Sequence, residues 1–118
     1  MSIQRYGVGP RMSQAVVHAQ TVYLAGQVAD KAAGKSVADQ TREILESIDR
    51  LLAQAGSDKT QLLAATIYLT DIGAFAEMNA VWEGWVAKGA TPARATVEAK
   101  LASPAFDVEI VCVAAKSS

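Results

Sequence analysis

With 118 residues the chain has room for one hydrophobic core, and 51% hydrophobic with 19% charged residues is a globular composition rather than a disordered or fibrous one. Eleven Lys and Arg against twelve Asp and Glu leave a net charge of −1 without a basic run, which excludes the electrostatic footprint of a nucleic-acid or anionic-membrane binder. One cysteine, Cys112, and one histidine, His18, exclude an internal disulfide and a metal-ligand cluster, so no metal is expected.

The start, Met1-Ser2-Ile3-Gln4-Arg5, lacks an apolar signal core, and no apolar stretch approaches the ~20 residues that span a bilayer, so a cytoplasmic protein with no membrane contact is expected. Ile3 to Val8, Ala15 to Ala19 and Val22 to Val28 read as strands, and Ala19-Gln20-Thr21 joins the last two too tightly for anything but a hairpin. From Ser36 to Ala55 the spacing of Val37, Thr41, Ile44, Leu45, Ile48, Leu51, Leu52 and Ala55 predicts a helix, with Ser36 as its cap, Asp39 completing an S-x-x-D box and Gly56 ending it. Leu63 to Thr70 is a further strand. A second helix is predicted from about Asp71, its cap, to Lys88, with Phe75, Met78, Trp82, Trp85 and Val86 as its stripe and Gly89 as its stop. Arg94 to Leu101 and Val108 to Ala115 complete the set of strands. The order β-β-β-α-β-α-β-β describes a single α+β domain over residues 1–118, one mixed sheet with both helices on one face, its second half a partial echo of its first.

The last strand carries an inference about assembly. Val108-Glu109-Ile110-Val111-Cys112-Val113-Ala114-Ala115 is apolar at odd and even positions alike, which requires burial on both faces, and the two helices cover only one. Self-association supplies the missing layer. Glu109 stands out in this strand, because a carboxylate there needs a partner or a water-filled cleft. Cys112, with no basic partner nearby in sequence, reads as a small core residue.

Thr91-Pro92-Ala93-Arg94-Ala95-Thr96-Val97-Glu98 alternates, so that Arg94, Thr96, Glu98 and Lys100 share one side of their strand. Following a Pro-bearing turn, Arg94 is placed to reach an edge cleft and grip a carboxylate by two parallel hydrogen bonds. The plain alternative is an ion pair with Glu98 or another surface acid. Asn79 interrupts the stripe of the second helix, as either a structural amide tying helix to sheet or a cleft wall. Gly26 stands where an absent side chain lets a ligand approach the backbone, or simply where a strand bends.

Pro92-Ala93-Arg94-Ala95-Thr96-Val97-Glu98, followed by Leu101, Pro104 and Val108-Glu109-Ile110, resembles the C-terminal signature of the reactive intermediate deaminase (Rid, YjgF-type) family, with the interval from Arg94 to Glu109 preserved. Tyr23-Leu24-Ala25-Gly26-Gln27-Val28, Ser13-Gln14-Ala15-Val16 and Phe75-Ala76-Glu77-Met78-Asn79 extend the resemblance over nearly the whole chain. It implies a chorismate-mutase-like fold of the bacillus type, three subunits packing their sheets into a barrel, and ligand clefts at the subunit interfaces. It further implies hydrolysis of reactive enamines and imines, such as 2-aminoacrylate, to 2-oxo acids and ammonia, without metal or cofactor. On this resemblance Arg94 grips the carboxylate of a small imino or oxo acid and Glu109 positions water. Gly26, Thr96 and Asn79 then belong to the substrate pocket.

Three features depart from the family pattern. The loop Gly9-Pro10-Arg11-Met12-Ser13-Gln14-Ala15 carries Met12 where a tyrosine is common and one residue more, leaving Arg11 to offer a second cation to a larger acid. Thr96 stands where cysteine is frequent, and Ala25 where serine is. These changes bear on the substrate more than on the fold, and they admit a competing function, a non-catalytic trimer that binds small carboxylates or a partner protein. A nuclease is disfavoured by the charge balance.

Overall fold

The computed structural model describes residues 2–117. Strands β1 (Ile3–Val8), β2 (Ser13–His18) and β3 (Thr21–Leu24) come first, followed by helix α1 (Val37–Gln54), strand β4 (Leu62–Leu69), helix α2 (Phe75–Trp85) and strands β5 (Ala93–Glu98) and β6 (Val108–Ala115). The strands form one sheet in the order β1-β2-β3-β6-β4-β5, antiparallel throughout except for the β4–β5 pair. Both helices lie on one face, as the element order predicts. None of the described helices is long and apolar enough to cross a membrane.

The first helix forms where the apolar spacing requires it. Ser36 accepts the Asp39 N–H at 3.1 Å through its hydroxyl, and Ile44, Leu45, Ile48, Leu51 and Leu52 turn inward onto the sheet. Gly56, at φ +81, lets the chain leave the helix in a left-handed conformation. The same face buries an amide that the hydropathy pattern does not reveal. Gln40 is fully buried and satisfied at both ends, its Nε2 donating to Lys35 O at 3.0 Å and to Asp107 Oδ2 at 3.1 Å, and its Oε1 accepting from Asp107 N at 2.9 Å. Each such group left unmade would cost about 1–3 kcal/mol, so this amide pins the loop before β6 to α1.

The second helix is shorter than its sequence pattern predicts. Asp71 caps a 3₁₀ turn, Ile72–Ala74, by accepting the Gly73 N–H at 2.8 Å, and α2 itself starts without a side-chain cap. At its other end α2 stops at Trp85 because Val86 turns extended, at ψ 143, and packs against the core instead of continuing the helix. Gly89, at φ +79, serves the later turn toward β5. Met78 and Trp82 are buried under α2, whereas Phe75 stays exposed. The strand limits also move: β3 ends at Leu24, with Gln27 rejoining the sheet by a single bridge to Ile110, and β5 ends at Glu98, which puts Lys100 outside the strand.

On β6 the faces separate by parity. Val108, Ile110, Cys112 and Ala114 are buried beneath the helices, while Glu109, Val111, Val113 and Ala115 point to the other side and are half-buried. None of the described residues covers that second side, where Tyr23 is 48% and Val97 42% exposed. Cys112, packed among apolar neighbours, has its thiol pushed up to about 12 by desolvation, the property of an inert core residue rather than a nucleophile.

Candidate functional site

Register decides where Arg94 points. It pairs with Ala65 of β4, a residue buried on the helix side, so the Arg94 side chain rises on that side beneath α2. There its guanidinium lies over two rings, 5.4 Å from the Trp82 centroid and 5.7 Å from that of Phe75, and Nη1 donates to Asn79 Oδ1 at 2.8 Å. Three side chains of one helix thus set the plane of the guanidinium and use one of its five N–H donors. Arg94 is otherwise exposed, on the edge strand β5. Glu98 does not pair with it: its carboxylate accepts the Ile72 N–H at 3.0 Å, and the ion pair found among the described residues is Arg42 with Asp39. Thr96 lies on the same side of β5, and its hydroxyl oxygen is buried without a hydrogen-bond partner among the described residues.

Glu109 stands on the opposite side. It pairs with Tyr68 across the antiparallel β4–β6 ladder, and its carboxylate extends over Gly26. A Cβ on Gly26 would lie 2.1 Å from Glu109 Oε2, so the missing side chain is what admits the carboxylate. The space at Gly26 is therefore occupied by Glu109. Beside the carboxylate opens a groove of about 290 Å³ lined by Tyr68, Ala99, Lys100, Leu101, Ala102, Glu109 and Val111.

Within one chain Arg94 and Glu109 cannot act on the same small molecule. Arg94 and Cys112 both register with Ala65, and Glu109 lies three residues before Cys112. Their Cα atoms are roughly 14 Å apart by strand spacing and rise, with side chains on opposite faces. The structure brings Asn79 and Thr96 together with Arg94, and Gly26 together with Glu109. Arg11 and Met12 belong to neither group; both are exposed in the turn between β1 and β2, in a shallow depression of about 230 Å³ with Gly7, Gly9, Pro10 and Gln14. Gln14 links that turn to the Glu109 end of the sheet, its Oε1 accepting from Gln27 Nε2 at 3.0 Å. Tyr68 and Lys100, which share the groove with Glu109, are not singled out by the sequence. Tyr68 differs in parity from the buried Ile67 and Leu69, which marks it as facing the other side, but only the β4–β6 register reveals what it faces. No group of three or more His, Cys, Asp or Glu among the described residues is placed to hold a metal ion.

Known proteins match this chain over its full extent. The profile of the family described as Endoribonuclease L-PSP covers residues 4–116. A RutC family protein of Haemophilus influenzae is 44% identical over 97% of this chain and 98% of its own. A bovine protein named 2-iminobutanoate/2-iminopropanoate deaminase is 34% identical, over 91% of this chain and 80% of its own. Among solved structures, a YjgF family member from Neisseria meningitidis superimposes with a TM-score of 0.97 at 48% identity, covering 100% of this chain and 98% of that one. By sequence and by fold alike, the chain belongs to the YjgF/Rid family, the same family as Endoribonuclease L-PSP.

Proposed function

We propose that this protein is a cytoplasmic imine and enamine deaminase that hydrolyses reactive amino-acid-derived intermediates to 2-oxo acids and ammonia, working as a homotrimer with its sites between subunits. The observation that carries the reading is the placement of Arg94 and Glu109 on opposite faces of one sheet, each exposed enough to meet a ligand. A site that uses both takes the arginine from one subunit and the carboxylate from the next, and the uncovered face of β6 is an apolar surface on which a second copy can pack. The name of the bovine relative supports the substrate class.

The chemistry suits the side chains. An imine carbon is already electrophilic, so the protein has to hold the acid, place a water against C2 and move protons. Arg94, with its plane set by Phe75, Trp82 and Asn79, is preorganised to hold a carboxylate by a fork of two N–H groups, with Thr96 beside it. Glu109 orients the water and takes its proton.

The test uses imines generated in situ from a panel of amino acids by an amino-acid oxidase, with ammonia release as readout. Arg94→Ala should lose roughly a hundredfold or more in kcat/KM, as expected for truncating a charge-assisted clamp worth about 2–5 kcal/mol, with the trimer intact; Arg94→Lys should recover little. Glu109→Gln should lower kcat more than it weakens carboxylate binding. Near-normal activity of Arg94→Ala on every imine acid would sink the clamp. An inactive wild type that binds small 2-oxo acids through Arg94 would identify a binding protein instead.

A further inference from the structure

We propose that Tyr68 is a second proton-handling group of this site, giving its phenolic proton to the substrate nitrogen while Glu109 takes one from water; this rests on the reading of Glu109 given above. Three observations point to it. Tyr68 and Glu109 are direct partners across β4–β6, which on one face of an antiparallel pair brings their Cβ atoms to about 4.5–5.5 Å. Both line the same groove of about 290 Å³, whose remaining walls, Lys100 apart, are Ala99, Leu101, Ala102 and Val111. Tyr68 also lies on the side of β4 away from the helices, so its hydroxyl takes no part in the core formed by Ile67 and Leu69. A phenol both donates and accepts, which a group serving two successive proton transfers at one nitrogen and one oxygen requires.

The transfers balance. As the water oxygen bonds to C2, the C=N π pair moves onto nitrogen, Glu109 accepts a proton from the water and Tyr68 donates one to nitrogen, giving the carbinolamine. The C–N bond then breaks with its pair on nitrogen, the carbinolamine hydroxyl returns a proton to the Tyr68 oxygen, and Glu109 passes its proton to the departing amine. Ammonia and the 2-oxo acid leave with both side chains restored. Lys100 and Glu109 are the charged groups that face Tyr68 in the groove, and Lys100 is the competing donor.

Tyr68→Phe removes the hydroxyl and keeps the ring. Its expected result is a fall in kcat of roughly a hundredfold or more, with KM and thermal midpoint unchanged and the alkaline limb of the kcat profile lost, while Lys100→Ala retains that limb. A wild-type rate and profile for Tyr68→Phe, in a preparation whose activity still depends on Arg94, overturns the role of Tyr68 alone. A loss confined to Lys100→Ala assigns the proton to Lys100 and overturns it as well. If the wild type hydrolyses no imine acid, the deaminase reading itself fails and the inference falls with it.

Discussion

The two faces of β6 differ in how their apolar surface is disposed of. Ile110 and Ala114 are fully buried beneath α1 and α2, in a core that the chain closes by itself. One residue away, Val111 and Val113 are only half-buried opposite Thr66 and Ala64, on a surface that none of the described residues covers. The covered face is where the fold is made, and it contains no charged side chain on β6. The open face carries the one charge of the strand, Glu109, at its end, next to a glycine that makes room for it. A strand of uniform hydropathy thus has two apolar faces, one satisfied within the monomer and one that the proposed trimer would cover.

Truncating one side chain on each face sharpens the contrast. Ile110→Ala should lower unfolding stability by about 2–5 kcal/mol, independent of protein concentration, as expected when a fully buried side chain leaves a cavity in a closed core. Val111→Ala should lose less, and its loss should shrink on dilution, because the packing it removes is supplied by the proposed association and is absent from wild type and variant alike once both are monomers. Chemical denaturation of both variants at two concentrations checks this, and equal, concentration-independent losses would break the distinction between the faces.

A charge on the open face tests the assembly directly. Val111→Lys should leave far-UV circular dichroism intact and convert the proposed trimer to monomer in light scattering, with deaminase activity lost because the Arg94 and Glu109 half-sites separate. A trimer that survives this substitution would mean that the subunits associate through another surface.

A further effect concerns the covered face at alkaline pH. Cys112 is raised from its ordinary 9.0 to about 12 by burial, so the folded state keeps a proton that the unfolded chain releases. Between those values the native state binds more protons than the unfolded one, and stability falls as pH rises, by about 1.4 kcal/mol per unit. Cys112→Ala should remove this part of the alkaline slope. The native thiol should stay unreactive to a disulfide reagent at neutral pH, and rapid modification without unfolding would contradict its burial.

Local chemistry determined much of this molecule in advance. The apolar period of Val37 to Leu52 with Ser36 before it and Gly56 after it specifies α1, because helix spacing and termini depend on neighbours in sequence. The double apolar parity of Val108 to Ala115 announced a strand with two demands, and the run from Pro92 to Glu109 carried the family resemblance. The end of α2 is not legible in the sequence, since Gly89 reads as its stop whereas the packing of Val86 on the core stops it earlier. Nor is the burial of Gln40, whose partners lie 67 residues away around Asp107. Arg94 and Glu109 are named by the sequence, but which face each occupies depends on β5 pairing parallel with β4 and β6 pairing antiparallel with the other edge of β4. A shift of one residue in either register would move a side chain through the sheet, and registers are set by long-range pairing that no local pattern encodes. For the same reason Tyr68 was an ordinary strand residue until the tertiary structure set it opposite Glu109.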